Sequence, residues 1–550
     1  MYLTWCAKGE IKNVRPLRRR LSRAVTALTM GALLGALPLA GPSSAADGPP
    51  TATAPTVATT DIANERHIKV YLQDKELKAL RAEGRQKEAA ARAAGRTGPQ
   101  APPHTTTAQQ NPHRTAAEPV APSPSRARSA VDYFGAVQSQ ARRAAAQDGA
   151  KSQGVQSALA LEPPPAIGEK PDQGAVDRCF ANGSADNEFG HIYNRFVYCK
   201  RFRTDADYYL VRPNRPPEKV GTTSFTYEMF ALGDSQNRRV RLFARIQKDS
   251  VDYDWGWWDN IWLAPNIRLG MIGQCGEPFE ICSGTRGPAT LPYAVWDNST
   301  DWYYWDIQNR ETAGVGRDKI SLNQFFLEWE STDPPFTTIQ TGRSHGRVMR
   351  CDSGDYFNKF PNLSYPKACV FAEVTSRLTF DSRDDNINEV AEHIRTAQNN
   401  PNATWPKLVP EGQPQPRDKR IPGKYEPTNP NAVGLHRITE KHEPGWYKAN
   451  RDHVRGACYK EGDLKDLYWD TGLPNRPIGG LEECDEYPMA STLEGAAHPD
   501  WDFSVRAVDK DDNGRAGNAL QDYYVYDRVL SWDPTLPPEI KNDLFFVEII

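Results

Sequence analysis

The chain has 550 residues, and its 67 Lys and Arg against 70 Asp and Glu leave a formal net charge of −3. That balance argues against a protein that grips nucleic acid through bulk positive charge. With no internal repeat and no phosphate-cradling glycine loop, a nucleotide-driven activity is not expected either.

Arg18, Arg19, Arg20 and Arg23 precede an apolar run from Ala24 to Ala40, and Ser43, Ser44, Ala45 and Ala46 follow as a small-residue cleavage site. Residues 1–46 are therefore expected to be a secretory signal peptide. The general secretory route is the default, and the twin-arginine route stays open because Arg18-Arg19 lacks the usual neighbours. The apolar run is short for a membrane span, so the expectation is a secreted, extracellular protein with no membrane insertion.

Residues 47–167 are dominated by Ala, Pro, Thr, Gln and Arg and read as a low-complexity, mostly disordered linker. Two islands within it, 63–94 and 130–161, have helical character. From residue 168 to 398 the texture changes to short apolar and aromatic runs with period-2 alternation, such as Ser224 to Phe230 and Val240 to Ile246, broken by Gly, Pro, Asn and Asp. This predicts an all-β sandwich, closed by one helix over 387–398. Its aromatic residues, among them Trp255, Trp257, Trp258, Trp262, Trp296, Trp302, Tyr303, Tyr304 and Trp305, suit a platform for polysaccharide, cell wall or nucleobases, and equally suit a sandwich core. Residues 399–431, rich in Pro and Asn, read as a second linker, and 432–550 as a final α+β domain.

Removal of Cys6 with the signal peptide leaves Cys179, Cys199, Cys275, Cys282, Cys351, Cys369, Cys458 and Cys484. An even set in an exported chain predicts four disulfides. Spacing alone does not fix the pairing, although a boundary between Cys369 and Cys458 would isolate Cys458 with Cys484. A zinc site would need closer cysteine pairs.

In the final domain, residues 437–454 are loosely helical, 503–508 alternate as a strand, 516–530 have helical spacing with Asp511, Asp512 and Asn513 at a capping position, and 544–550 form a last strand. Around the first of these strands stand Asp485, Glu486 and Glu494, with Asn513 and Asn518 beyond it. These are hard oxygen donors suited to Mg²⁺, Mn²⁺ or Ca²⁺. In isolation each has a plainer explanation: an acidic turn before Pro488 for Asp485 and Glu486, a turn at Gly495 for Glu494, a cap for Asn513 and an exposed strand position for Arg506. His436, His442, His453 and His498 sit in no recognisable catalytic context, and packing or surface roles are expected for them.

Taken together, Asp485-Glu486-Tyr487-Pro488-Met489-Ala490, Glu494-Gly495, Val505-Arg506-x-Val508, the turn from Asp512-Asn513 to Gly517 and the apolar last strand resemble the NucA/NucB family of secreted bacterial deoxyribonucleases. The resemblance spans roughly residues 436–550. It implies a metal-dependent, non-specific endodeoxyribonuclease with a reduced ββα-metal (His-Me finger-like) core, in which the acidic element replaces the histidine base. The sequence departs from the family pattern at Ala496, in the longer stretch from Ala496 to Trp501, and at the displaced Arg515. On this basis Asp485 or Glu486 takes a proton from water. The other, with Glu494, Asn513 and more distantly Asn518, places the divalent metal, while Arg506 or Arg515 binds the substrate phosphate.

Charge is hard to reconcile with DNA as the partner, because residues 411–550 hold 17 Lys and Arg against 26 Asp and Glu. Help is expected from bound metal and from basic stretches elsewhere, such as Arg195, Lys200, Arg201 and Arg203, or Arg238, Arg239, Arg241 and Arg245. Two alternatives remain: a nuclease-tipped toxin with an immunity protein as its partner, or an extracellular polysaccharide- or wall-binding protein whose nuclease domain is inactive.

Overall fold

Alternating burial shapes the central region. In the strand Val197–Val211 the residues Thr204, Ala206, Tyr208 and Leu210 are buried while their neighbours are exposed or partly exposed, and in Glu218–Gly233 the same holds for Gly221, Thr223 and Phe225 before burial becomes continuous from Tyr227. These two strands form the longest antiparallel pair of a nine-stranded sheet. A six-stranded sheet is built around Arg268–Cys275, Ser321–Ser331 and Arg347–Asp352. Leu269, Met271, Leu327 and Trp329 of the second sheet share one core with Tyr208, Phe225, Tyr227 and Met229 of the first. The middle of the chain is thus a large β-rich region, as its sequence texture predicts.

The computed structural model describes residues 65–94, 124–151, 162–276, 281–331, 334–359, 363–429 and 431–550, all within one compact unit, Val57–Ile550. The expected signal peptide lies outside the described residues. Among those residues no helix is long and apolar enough to cross a membrane.

The described parts of both islands of the first linker, 65–94 and 130–151, are docked rather than solvated, and residues 63–64 and 152–161 lie outside the described residues. Ile68–Gln73 is a strand inserted between Val197–Val211, to which it runs parallel, and Thr337–Gln340, to which it runs antiparallel. Ile68, Val70 and Leu72 alternate into the core, a period of two inside a stretch that reads as helical; the helix begins only at Asp74 and runs to Ala93. The described part of the second island belongs to the helix Pro124–Lys151, whose Tyr133, Phe134, Val137 and Ala141 bury against Leu322 and Val348 of the six-stranded sheet and against Val525, Leu530 and Ile540 near the C-terminus.

The aromatic residues of the middle region are mostly consumed by packing. Trp255, Trp296 and Trp305 are buried in the core, Trp262, Trp302, Tyr303 and Tyr304 are partly buried, and the side chains of Trp257 and Trp258 lie outside the described set.

Four disulfides join Cys179 to Cys199, Cys275 to Cys282, Cys351 to Cys369 and Cys458 to Cys484. Three staple the β-rich region. The fourth ties a C-terminal helix to the acidic strand.

The last third departs from the expected division into sandwich, linker and nuclease. Ser376–Phe380 pairs in parallel with the terminal strand Phe545–Ile549. The helix Asn388–Asn399 buries Val390, Ala391, Ile394 and Ala397 in a cluster with Tyr487, Val508, Leu520 and Tyr523, so it packs on the C-terminal region and not on the β-rich sheets. The described residues of 399–431 are folded down as well. The backbone of Trp405 accepts from Val505 at 2.6 Å, Arg417 pairs with Asp502 at 2.6 Å, and the ammonium of Lys419 is buried against Thr404 Oγ1 at 2.8 Å and the Pro406 carbonyl at 3.0 Å. A Pro- and Asn-rich composition lacks periodic secondary structure, but a few side-chain anchors suffice to fix it.

A buried ionic network joins the two regions. Arg528 and Asp352 pair at 2.6 Å with at most 1% of either side chain exposed. Arg195 bonds Asp543 at 3.0 Å and lies 3.9 Å from Asp527, and Arg350 donates to Asp543 and, at 2.7 Å, to the carbonyl of Arg528. Burial pushes Asp352 up, yet Arg528 and Arg350 outweigh it and hold the carboxyl below its ordinary value.

Candidate active site

The acidic strand Glu482–Tyr487 lies antiparallel to Ser504–Asp509, and Asp509 passes the chain directly into the helix Lys510–Tyr526. Asp509 is the N-cap, its carboxylate accepting from the N–H groups of Asp511 and Asp512 at 2.9 and 3.1 Å. The helix therefore starts six residues earlier than its apolar spacing suggests, and Asn513 is inside its first turn. The order strand, strand, helix is the observed local architecture.

The two strands form a sheet of their own, so the far edge of the acidic strand has no strand partner among the described residues. Along that edge runs a cleft of about 790 Å³. Consecutive strand residues point to opposite faces, but the cleft wraps the edge and is lined by both Asp485 and Glu486, with Glu483 and Asn513 beside them. One wall is the helix Lys510–Tyr526, a second is the helix Pro444–Tyr459, and Val390 and Ile394 of the helix Asn388–Asn399 close the floor.

Asp485 is held from below. Its Oδ2 lies 2.6 Å from Nδ1 of His393, and Nε2 of the same ring lies 2.7 Å from Ser504 Oγ. His393 and Ser504 are buried, and Asp485 is only 8% exposed. His393 was missed in the sequence because it falls in the helix assigned to the sandwich. The available signal was a histidine on the apolar face of Val390-Ala391-Glu392-His393-Ile394. The N-terminus of that helix is also fastened to the site, with Glu389 Oε2 accepting from Asp509 N at 2.7 Å and Asp512 Oδ2 from Glu389 N at 3.3 Å.

Glu486 is half-buried and accepts from the N–H of Ala490 at 3.3 Å. Burial, reinforced by the neighbouring Asp485 charge, pushes its carboxyl up to about 7 against the opposing pull of that N–H and of Arg451. A carboxyl raised in the fold contributes stability that is complete below its unfolded value and is lost as pH rises through about 7. In chelator, Glu486→Gln is accordingly expected to melt higher than the wild type at pH 8, by on the order of 2–3 kcal/mol, and to match it near pH 4. An identical offset at both pH values would exclude this origin.

The remaining expected site residues are dispersed. Asn513 donates to Glu483 at 3.1 Å within the cleft. Glu494 is buried outside the cleft lining, its carboxylate accepting from the backbone of His436 at 2.8 Å and meeting its ring at 2.7 Å. Asn518 is exposed, on a part of its helix that does not line the cleft. Arg506 stands directly across the sheet from Asp485 in register but is exposed and outside the lining. Arg515 is tied to the Asn386 carbonyl and to Asp512 Oδ1, both at 2.6 Å.

Each of the four histidines of the final domain has a partner outside the cleft lining. His436 holds Glu494, His442 packs edge-on against Tyr356, His453 bonds the Tyr468 hydroxyl at 2.5 Å, and His498 stacks on Trp446. The basic stretches proposed to assist DNA binding are engaged elsewhere. Arg195, Lys200, Arg238 and Arg241 are buried, and Arg201, Arg203, Arg239 and Arg245 pair with Asp or Glu of the β-rich region. What lines the cleft in their place is the helix Pro444–Tyr459, through Tyr447, Arg451 and Arg455.

Part of the C-terminal region matches a family model of deoxyribonucleases. The family is deoxyribonuclease NucA/NucB, and the match covers residues 440–530. The Asp485 to Asn513 segment falls inside it, whereas His393 lies outside. Comparison with curated proteins and with solved structures returned no match.

Proposed function

We propose that this protein is a secreted, divalent-metal-dependent endodeoxyribonuclease that hydrolyses phosphodiester bonds of extracellular DNA. The observation that carries the proposal is the convergence of Asp485, Glu486 and Asn513 on one cleft, inside the segment that matches the NucA/NucB family. Four disulfides support an oxidising, extracellular setting.

The donor set suits a hard cation. Among the described residues no cluster of three or more His, Cys, Asp or Glu is placed to hold a metal by itself. One or two carboxylates with a carboxamide oxygen are the kind of set that Mg²⁺ takes, the remaining positions going to water and substrate phosphate. Asp485 and Asn513 would hold the ion; Glu494 and Asn518 are left out of this set because they do not line the cleft. When bound, the cation supplies charge neutralisation on the phosphate and a more acidic water.

The chain's own residues do the rest. His393 fixes the rotamer of Asp485, so the carboxylate is presented without reorganisation. Glu486, raised toward neutrality, is matched to accept a proton from the attacking water near pH 7. The ββα-metal reading of the core is supported by the local order of strand, strand and helix, with the acidic element where a histidine base would otherwise stand.

The interface around Arg528 and Asp352 favours a nuclease that works as one body with its β-rich region over a detachable toxin tip. The test is cleavage of circular plasmid by the secreted protein with Mg²⁺, Mn²⁺ or Ca²⁺ and with chelator. Nicking that requires a divalent ion is the expected result. No cleavage with any of the three ions would overturn the proposal.

A further inference from the structure

The cleft is lined by five carboxylates, Asp452, Glu461, Glu483, Asp485 and Glu486, and by two guanidiniums, Arg451 and Arg455. A polyanion entering it is repelled unless something else receives its phosphates. Of the other arginines nearby, Arg515 is occupied by the Asn386 carbonyl and Asp512, and Arg506 is exposed and outside the lining.

Arg451 differs from both in lining the cleft. It forms no ion pair among the described residues; its guanidinium donates to the Tyr447 hydroxyl at 3.3 Å and stands 5.3 Å from the Tyr447 ring centre. It faces Glu486 closely enough that the Glu486 charge acts on it. Tyr447, Arg451 and Arg455 follow one another at four-residue spacing, so they form a single row along the helix Pro444–Tyr459. Arg455 shares Glu461 with Arg476, at 3.2 and 3.3 Å, an exposed arrangement that is readily exchanged for a phosphate. The helix is fixed against the acidic strand by the Cys458–Cys484 disulfide and by Asn450, whose buried carboxamide bonds the carbonyls of Ala490 and Thr492 at 3.0 and 2.9 Å. The row is thus held at a set distance from Asp485 and Glu486.

We propose that this row is the lane for the sugar-phosphate backbone of the substrate, with Arg451 gripping a phosphate beside the reacting one, Tyr447 orienting Arg451, and Arg455 receiving the next phosphate along. The inference rests on the nuclease reading and adds to it the residues that bind the strand. A guanidinium is suited to the task because it presents paired donors to phosphate oxygens and stays charged at any pH of interest. It also accounts for an acidic domain that acts on DNA: two phosphate contacts and a bound cation replace a broad basic surface.

The test compares wild type, Arg451→Gln and the charge-matched control Lys465→Gln, an exposed lysine outside the cleft. Cleavage kinetics on a linear duplex are measured with Mg²⁺, and binding of a fluorescein-labelled duplex is measured by anisotropy in EDTA between 50 and 200 mM NaCl, the range over which phosphate contacts show most clearly, at about 0.9 in slope per contact. Arg451→Gln is expected to raise KM about tenfold or more with kcat changed less, and to flatten the slope of log K against log[NaCl] by about one, while Lys465→Gln changes neither. An Arg451→Gln protein with wild-type KM and salt slope, in an enzyme that cleaves, overturns the lane and leaves the nuclease reading standing. A wild type that neither binds nor cleaves DNA overturns both.

Discussion

Asp485→Asn is expected to lower plasmid cleavage by about 10²–10⁴-fold, the range for loss of a group that acts on the reacting water or its cation, while the protein remains folded. Asparagine keeps the shape and one hydrogen bond to His393 but removes the charge. His393→Ala leaves the charge and removes the support, and the expected loss is about 10–100-fold, as for outer partners that orient a ligand. Because His393 acts through Asp485, the two losses are not additive: adding His393→Ala to Asp485→Asn costs little more. Plasmid nicking rates of the four proteins, with circular dichroism to confirm folding, give the cycle. Two independent, multiplying losses would show that the 2.6 Å contact between His393 and Asp485 does not carry the role assigned to it.

Arg528→Ala is expected to destabilise the whole protein by about 3–5 kcal/mol, the cost of leaving a buried charge without its partner. The guanidinium bonds Asp352 at 2.6 Å, donates to the carbonyls of Tyr365 and Gly354, and lies 3.8 Å from the Phe357 ring centre. Its removal leaves Asp352, which is 0% exposed, with Arg350 at 3.6 Å and the N–H of Gly354 at 3.2 Å. The sign with pH follows from Asp352: a carboxyl held below its ordinary value contributes stability above its unfolded pKa, and that contribution disappears as pH falls through the folded value. The wild-type advantage over Arg528→Ala is therefore largest at neutral pH and narrows in acid. Asp352→Asn combined with Arg528→Met removes both charges and is expected to recover more than half of the loss. Thermal unfolding of the wild type and the two variants at pH 7 and pH 4 makes the comparison, and an Arg528→Ala protein that melts with the wild type would show that the interface does not depend on this pair.

Much of the local layout of the candidate site was legible in the primary structure. The Asp485-Glu486 element, the strand across from it and the helix beyond are adjacent in sequence, so order and spacing suffice to reveal them. The β-rich texture of the middle region was equally clear, since a period of two needs no knowledge of the partner strand. Cys458 and Cys484 are paired as an isolated couple should be. Helix boundaries were less clear. Asp509 caps the site helix by a side-chain bond that competes with the apolar spacing, and the spacing pointed to a later start.

What the sequence by itself determined is the local unit: which residues carry carboxylates, which stretches alternate, and which short motif resembles that of a nuclease family. Only the tertiary structure decided which of those residues share a cleft. His393 is 92 residues from Asp485, and Asp352 is 176 from Arg528, and no periodicity encodes a hydrogen bond over such separations. Glu494 and Arg515 have the right chemistry at the right spacing, yet His436 and Asp512 engage them first, because burial rewards whichever partner can satisfy a charge at hand. Arg451 carries no motif at all. It is singled out by its position on a helix face turned toward the acidic strand, a property of packing that composition does not contain.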